Sequence, residues 1–164
     1  MFQQGNLVVY GSTGVCRVKE LTVRGAEHQT CYVLEPLYQT CTISVPVDSD
    51  KISIRSVMTR READELIDHI PEVDAEPCHC RSIQQLTDHY KSALNGHDCV
   101  SLVRLIKSIY LKRQNALEQK RKLGTVDERF MKRAEELLFG ELAVALEIPP
   151  EEVQAYISRR LSGR

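Results

Sequence analysis

No tryptophan occurs among the 164 residues, and the only aromatics are six Tyr and three Phe. Single-strand recognition by base stacking needs aromatic platforms, so this composition argues against it. No apolar run approaches the roughly 20 residues that a membrane-spanning helix requires. The opening Met1-Phe2-Gln3-Gln4-Gly5 lacks the basic-then-apolar plan of an export signal, and a cytoplasmic location without membrane association is expected. Phosphate-loop and dinucleotide fingerprints are absent, as is a Gly-x-Ser-x-Gly elbow. No catalytic residue, cofactor or small-molecule substrate is therefore expected. Zinc-finger spacing and a basic-zipper pattern are missing too, which leaves little basis for base-specific reading, although short helices alone leave a helix-turn-helix open.

The six cysteines (16, 31, 41, 78, 80 and 99) form no disulfide framework under that expectation, because cytosolic thiols stay reduced. Cys16, Cys31 and Cys41 fall in strand-like runs, where Cys behaves as a small buried hydrophobe. Cys78, Cys80, His97 and Cys99 offer four zinc donors, but Cys-x-Cys with His-x-Cys is an unusual spacing for a structural site. Loop and helix-start residues without a ligand role are the favoured reading, and no metal is assigned.

The net charge of −1 conceals an asymmetry. Residues 104–133 hold ten basic residues against three acidic ones, a local excess of seven positive charges that the rest of the chain more than offsets. A field of one sign concentrated in one segment points to a polyanionic partner.

Residues 1–58 read as β structure. Leu7-Val8-Val9-Tyr10, Val15-Cys16-Arg17-Val18 and Thr30-Cys31-Tyr32-Val33-Leu34 are strand candidates, followed by Cys41-Thr42-Ile43-Ser44-Val45 and Lys51-Ile52-Ser53-Ile54-Arg55. The last two alternate apolar and polar, the mark of a half-buried strand. Five short strands with tight connections predict a small closed barrel. At Thr59 the period changes. Thr59-Arg60-Arg61-Glu62, Ser82-Ile83-Gln84-Gln85 and Thr125-Val126-Asp127-Glu128 each read as a capping box opening a helix. The expected helices run from Thr59 to about Ile70, from Ser82 to near Asn95-Gly96, from an Asp98 cap to about Lys122, from Thr125 to about Leu146, and from Pro150 to about Leu161. The fold class is thus α+β: a β-barrel domain at 1–58, a helix and acidic linker at 59–81, and an all-helical domain at 82–164.

The order of several motifs carries a family resemblance. The opening Gly5-Asn6-Leu7-Val8-Val9-Tyr10 with Gly14-Val15, the Val45-Pro46-Val47-Asp48 turn, Arg55-Ser56-Val57, Tyr90-Lys91, Leu102-Val103-Arg104-Leu105-Ile106 and the run Asp127–Ala143 together resemble CarD/CdnL-type transcription regulators. That resemblance implies a Tudor/SH3-like N-terminal domain, shared with transcription-repair coupling factors, that binds the RNA polymerase β subunit. It also implies a helical domain that contacts promoter DNA upstream of the transcription bubble and stabilises the open complex. The resemblance places polymerase contacts at Arg24, Tyr32, Ser44, Val45 and Pro46. Family members carry a wedging Trp near the start of the helical domain. Here the corresponding stretch lies between Cys78 and Leu86, where Ile83 or Leu86 supplies a smaller apolar side chain.

On the helix expected from Val126 to Leu146, Phe130, Ala134, Leu137 and Leu138 share one face, while Arg129, Lys132 and Arg133 lie opposite. A solvated helix face accounts for these cations by itself. Joined to the basic segment and the resemblance, they become candidate phosphate contacts, with Lys120, Arg121, Lys122, Arg104 and Lys107 extending the patch. A protein-interaction adaptor without DNA contact is the alternative, separated by whether the basic segment can be neutralised without loss of function.

Overall fold

The computed structural model describes residues 2–11, 13–48, 54–94 and 98–163, and the chain divides into two compact units, Met1–Met58 and Thr59–Arg164. The first is an antiparallel sheet of β1 (Leu7–Tyr10), β2 (Gly14–Arg24), β3 (Gln29–Pro36), β4 (Ile43–Pro46) and β5 (Ile54–Ser56), in the order β4-β3-β2-β1-β5. All five strands feed one core. Val8, Cys16, Val18, Tyr32, Leu34 and Val45 are buried in it, with Tyr10, Ile43 and Ile54 packed against them. Sharing a core between the two end strands curls the sheet into the barrel-like form of an α+β protein. The expected closure of the barrel is not made by backbone pairing: among the described residues β4 and β5 end the order. The first part of the fifth expected strand, residues 51–53, lies outside the described residues.

β2 runs six residues beyond its expected end, and the reason is a register shift between Val18 and Glu20. A bulge breaks the period-2 phase, so an alternation read through it is lost. Beyond the shift Glu20, Leu21, Val23 and Arg24 are exposed, on a ribbon that turns through Gly25 (φ 80°) and His28 (φ 52°) into β3.

The second unit holds α1 (Arg60–His69), a single 3-10 turn at Ile70–Glu72, α2 (Ile83–Leu94), α3 (Cys99–Glu118), α4 (Thr125–Leu146) and α5 (Pro150–Ser162). The Thr59 hydroxyl accepts from the Glu62 amide at 3.1 Å, Ser82 does the same for Gln85 at 3.1 Å, and Asp98 for Ser101 at 2.8 Å. The third capping box does not form. α4 begins one residue earlier with Gly124 as its N-cap and no side-chain cap, and Asp127 turns inward. α3 also stops short of expectation. Lys120 takes the left-handed conformation (φ 57°), with the Arg121 amide on the Ala116 carbonyl (2.7 Å) and the Lys120 amide on Leu117 (3.0 Å). This is a Schellman stop with lysine where glycine is usual. Lys120, Arg121 and Lys122 therefore lie past the helix, not in its last turn. The expected stop of α2 at Asn95-Gly96 lies outside the described residues.

α3 packs on α4, α4 on α5, and α2 on both α3 and α4. α1 packs against α4 and α5, fastened by Tyr156 donating to Asp64 (2.6 Å) and by Arg160 reaching both Asp68 oxygens (2.8 and 2.9 Å). The acidic stretch after α1 is fixed along α3. Lys107 Nζ donates to the carbonyls of Ile70 (2.9 Å) and Val73, and Ser108 Oγ accepts from the Glu76 amide at 2.8 Å. Among the described residues no helix is long and apolar enough to cross a membrane.

Candidate interaction surfaces

In the β unit the candidate surface follows from which side of β4 is occupied. Val45 opposes Tyr32, Ile43 opposes Leu34, and the Val47 amide donates to the Thr30 carbonyl at 3.0 Å. In an antiparallel ladder, hydrogen-bonded and non-hydrogen-bonded pairs alternate. Val47, Val45 and Ile43 thus turn their backbone groups toward β3, and Ser44 and Pro46 turn theirs outward. The open edge carries the Ser44 amide and carbonyl and the Pro46 carbonyl, but no amide from Pro46.

Tyr32 and Val45, expected among the partner contacts, are core residues at 4% and 1% exposure. The Tyr32 hydroxyl accepts from the Phe2 amide at 3.0 Å, and the two rings meet edge-on at 6.0 Å. Their side chains set the shape of the edge; they do not form its surface. Arg24 and Ser44 are exposed and Pro46 half-buried. The reading from sequence passed over Leu21 and Val23, which stand exposed on the same ribbon as Arg24. The shift between Val18 and Glu20 places Leu21 opposite Tyr32 and Val23 opposite Thr30, yet both side chains remain exposed on this outer part of the ribbon.

In the helical unit the ten basic residues separate by what they touch. Lys107 is spent on the carbonyls that end α1 and its 3-10 turn. Lys112 is nearly buried and pairs with Asp127 at 2.8 Å, side chains 12% and 9% exposed. The Tyr90 hydroxyl donates to the same Asp127 oxygen, and Lys112 Nζ reaches that hydroxyl at 3.4 Å. Burial, then the neighbouring Asp127 carboxylate, holds the Tyr90 hydroxyl far above its ordinary pKa, so it stays a donor. Arg104 is half-buried, and its Nε is buried without a hydrogen-bond partner among the described residues. Arg133 is half-buried and leans on Glu136 at 3.3 Å.

Five of the candidates are openly exposed: Lys120, Arg121, Lys122, Arg129 and Lys132. Arg129 lies over the Phe130 ring at 5.0 Å from its centroid, with the guanidinium still facing solvent. The opposite face of α4 buries Phe130, Ala134, Leu137 and Leu138, as the 3.6-residue period requires. Arg121 and Lys122 line a cleft of about 380 Å³ whose floor is the Lys112–Asp127 pair. No local pattern marks that pair: Asp127 stands inside the Thr125–Glu128 box and Lys112 inside the basic segment 104–133.

At the start of α2, Ile83 is 72% exposed, whereas Leu86 is half-buried. Of the four donors weighed for zinc, the three described ones, Cys78, Cys80 and Cys99, do not form a metal-binding group. Cys99 is buried and donates to Glu141 at 3.3 Å, and His97 lies outside the described residues. Among the described residues no group of three or more His, Cys, Asp or Glu side chains is placed to hold a metal ion.

Comparison with known proteins returns one family. Residues 2–58 match the family model described as CarD-like/TRCF RID domain, about a third of the chain and nearly the whole of the β unit. Domains of that family are non-enzymatic, belong to transcription-related proteins and interact with the RNA polymerase β subunit. No curated protein matches the chain.

Proposed function

Residues 2–58 being a CarD-like/TRCF RID domain, we propose that the chain is a transcription regulator that docks on the RNA polymerase β subunit through this unit. We propose further that its helical unit contacts promoter DNA upstream of the bubble without reading sequence, modulating the stability of the open complex. The observation that carries the first part is the domain match on a unit whose β4 edge is unpaired among the described residues. An open edge takes an added strand from a partner, main chain supplying affinity and flanking side chains specificity. Arg24, Ser44 and Pro46, with Leu21 and Val23, are the proposed contact residues.

For DNA the support is the cluster of exposed cations around the α3–α4 connection and the outer face of α4. Lys120, Arg121, Lys122, Arg129 and Lys132 are the proposed phosphate contacts, with Arg104 and Arg133 at the margin. Phosphate contacts position a protein and specify no sequence, so promoter choice would rest with the polymerase. Tethering through the β unit raises the local concentration of DNA and lets weak contacts suffice. Ile83 is the proposed side chain at the bubble edge.

The test is the salt dependence of duplex binding by the full chain. Each phosphate contact removed should flatten the slope of log affinity on log salt by roughly 0.9 units. Alanine at Arg121, Lys122, Arg129 and Lys132 together should reduce the slope by several contacts, whereas Lys107→Met should leave it unchanged. An unaltered slope in the fourfold variant, with polymerase binding intact, would favour an adaptor that touches protein only.

A further inference from the structure

The irregular stretch between the 3-10 turn and α2 carries two thiols whose role neither the RID domain nor the proposed phosphate surface accounts for. Cys78 Sγ and Cys80 Sγ lie 2.7 Å apart, both half-buried. A disulfide bond is about 2.05 Å long. The two sulfurs therefore need to close by well under an ångström. His79, the residue between them, lines the cleft that also contains Lys112 and Arg121, so the turn lies at a solvent-open wall.

The remaining cysteines differ in kind. Cys16 is wholly buried, and burial pushes its thiol up to about 11. Cys31 and Cys99 are also buried, and Cys99 is committed to Glu141. Cys41 is exposed, but its contact within hydrogen-bonding distance is Gln39 and not a second thiol.

We propose that Cys78 and Cys80 form a redox-active dithiol, a modification site that closes to an intramolecular disulfide on meeting a low-molecular-weight disulfide such as oxidised glutathione. The hydrogen bond between the two thiols, with burial second, holds Cys78 above its ordinary value, while the Lys112 ammonium works in the opposite direction. Either thiol can donate in the hydrogen bond between them, and attack by either one first gives the same product. When Cys80 leads, its thiolate displaces one thiolate from the small disulfide and forms a mixed disulfide. Cys78 then loses its proton and attacks Cys80 Sγ, expelling the second thiolate. Two protein thiols are oxidised to one disulfide, one small disulfide is reduced to two thiols, and the two protons end on the released sulfurs. The bond would lock the turn that Lys107 and Ser108 already fix at its upstream end.

The full, folded chain should be equilibrated with oxidised glutathione, blocked with iodoacetamide, cut with trypsin and read by mass spectrometry. Residues 62–81 leave as one tryptic peptide containing Cys78 and Cys80 and no other cysteine. The expected product is that peptide unalkylated and lighter by two hydrogen atoms, regenerated to two alkylatable thiols by dithiothreitol. It should form faster in the folded chain than in the urea-unfolded one, because the fold sets the sulfurs together. Cys78→Ser should stop at the mixed disulfide on Cys80. Both thiols remaining alkylatable, a stable mixed disulfide in the unmutated chain, pairing with another cysteine, or equal rates folded and unfolded would each overturn the assignment.

Discussion

The two units handle polar groups in opposite ways. The β unit keeps an apolar core and leaves its polar edge outside: Val8, Val18, Leu34 and Val45 point in, while Arg24 and Ser44 stay in solvent. The helical unit takes charge inside. Lys112, Asp127 and Tyr90 form a hydrogen-bonded group in its interior, and Glu141 is 2% exposed. Residue type is therefore a different guide in each. Counting hydrophobic residues overstates the core of the β unit, since Leu21 and Val23 are exposed, and counting cations overstates the available field of the helical unit, since Lys107 and Lys112 hold it together.

The sharpest test of this contrast is to strip one member from the internal group. Asp127→Ala leaves Lys112 and Tyr90 buried without their acceptor, and should cost the helical unit about 3–5 kcal/mol, read by urea denaturation. Replacing Lys112 by Met and Asp127 by Leu together should recover most of that loss, because a packed apolar pair needs no compensation. A loss below 1 kcal/mol for Asp127→Ala, on the scale of a surface ion pair, would show that the group is effectively solvated.

A second test uses an exposed apolar side chain against a half-buried one. Ile83→Trp should fold normally and lengthen the open-complex lifetime about ten- to hundredfold, as holding an unstacked base step is worth a few kcal/mol. Leu86→Trp should lose stability instead through overpacking, by about 1–3 kcal/mol. A folded, polymerase-binding Ile83→Trp protein with an unchanged lifetime would remove this end of α2 from the bubble edge.

The smallest expected effect concerns the stop of α3. A left-handed lysine costs about 1 kcal/mol relative to glycine, so Lys120→Gly should stabilise the helical unit by about that amount while deleting one proposed phosphate contact. Stability and DNA affinity would then move in opposite directions, which a charge held only for the fold would not produce.

Periodicity and caps made much of the layout legible. The change of period at Thr59 matches the boundary between the units, and the Ser82 and Asp98 caps form where their side chains place them. What stayed hidden depends on contacts distant in sequence or on backbone irregularity. The shift at Val18/Glu20 removed the phase that would have marked β2 to its end. Asp127 meets Tyr90 37 residues away, a pairing that no local pattern encodes. Lys120 takes a conformation that glycine usually supplies, so nothing in the sequence marks the stop of α3 before residues 120–122. For the interaction surfaces, sequence supplied the charged segment and the strand, and three dimensions divided each into side chains that face out and side chains that do not.

The central claim, docking through the open β4 edge, is tested most directly by the affinity of the full chain for the purified polymerase β lobe, unmutated and as Ser44→Pro. Proline at that position deletes the outward amide and leaves the hydrogen bonds to β3 untouched. The account predicts measurable binding that weakens about tenfold, the equivalent of one main-chain hydrogen bond, with circular dichroism unchanged. A folded chain that does not bind the β lobe, or one that binds equally with Ser44 and with proline, would contradict it.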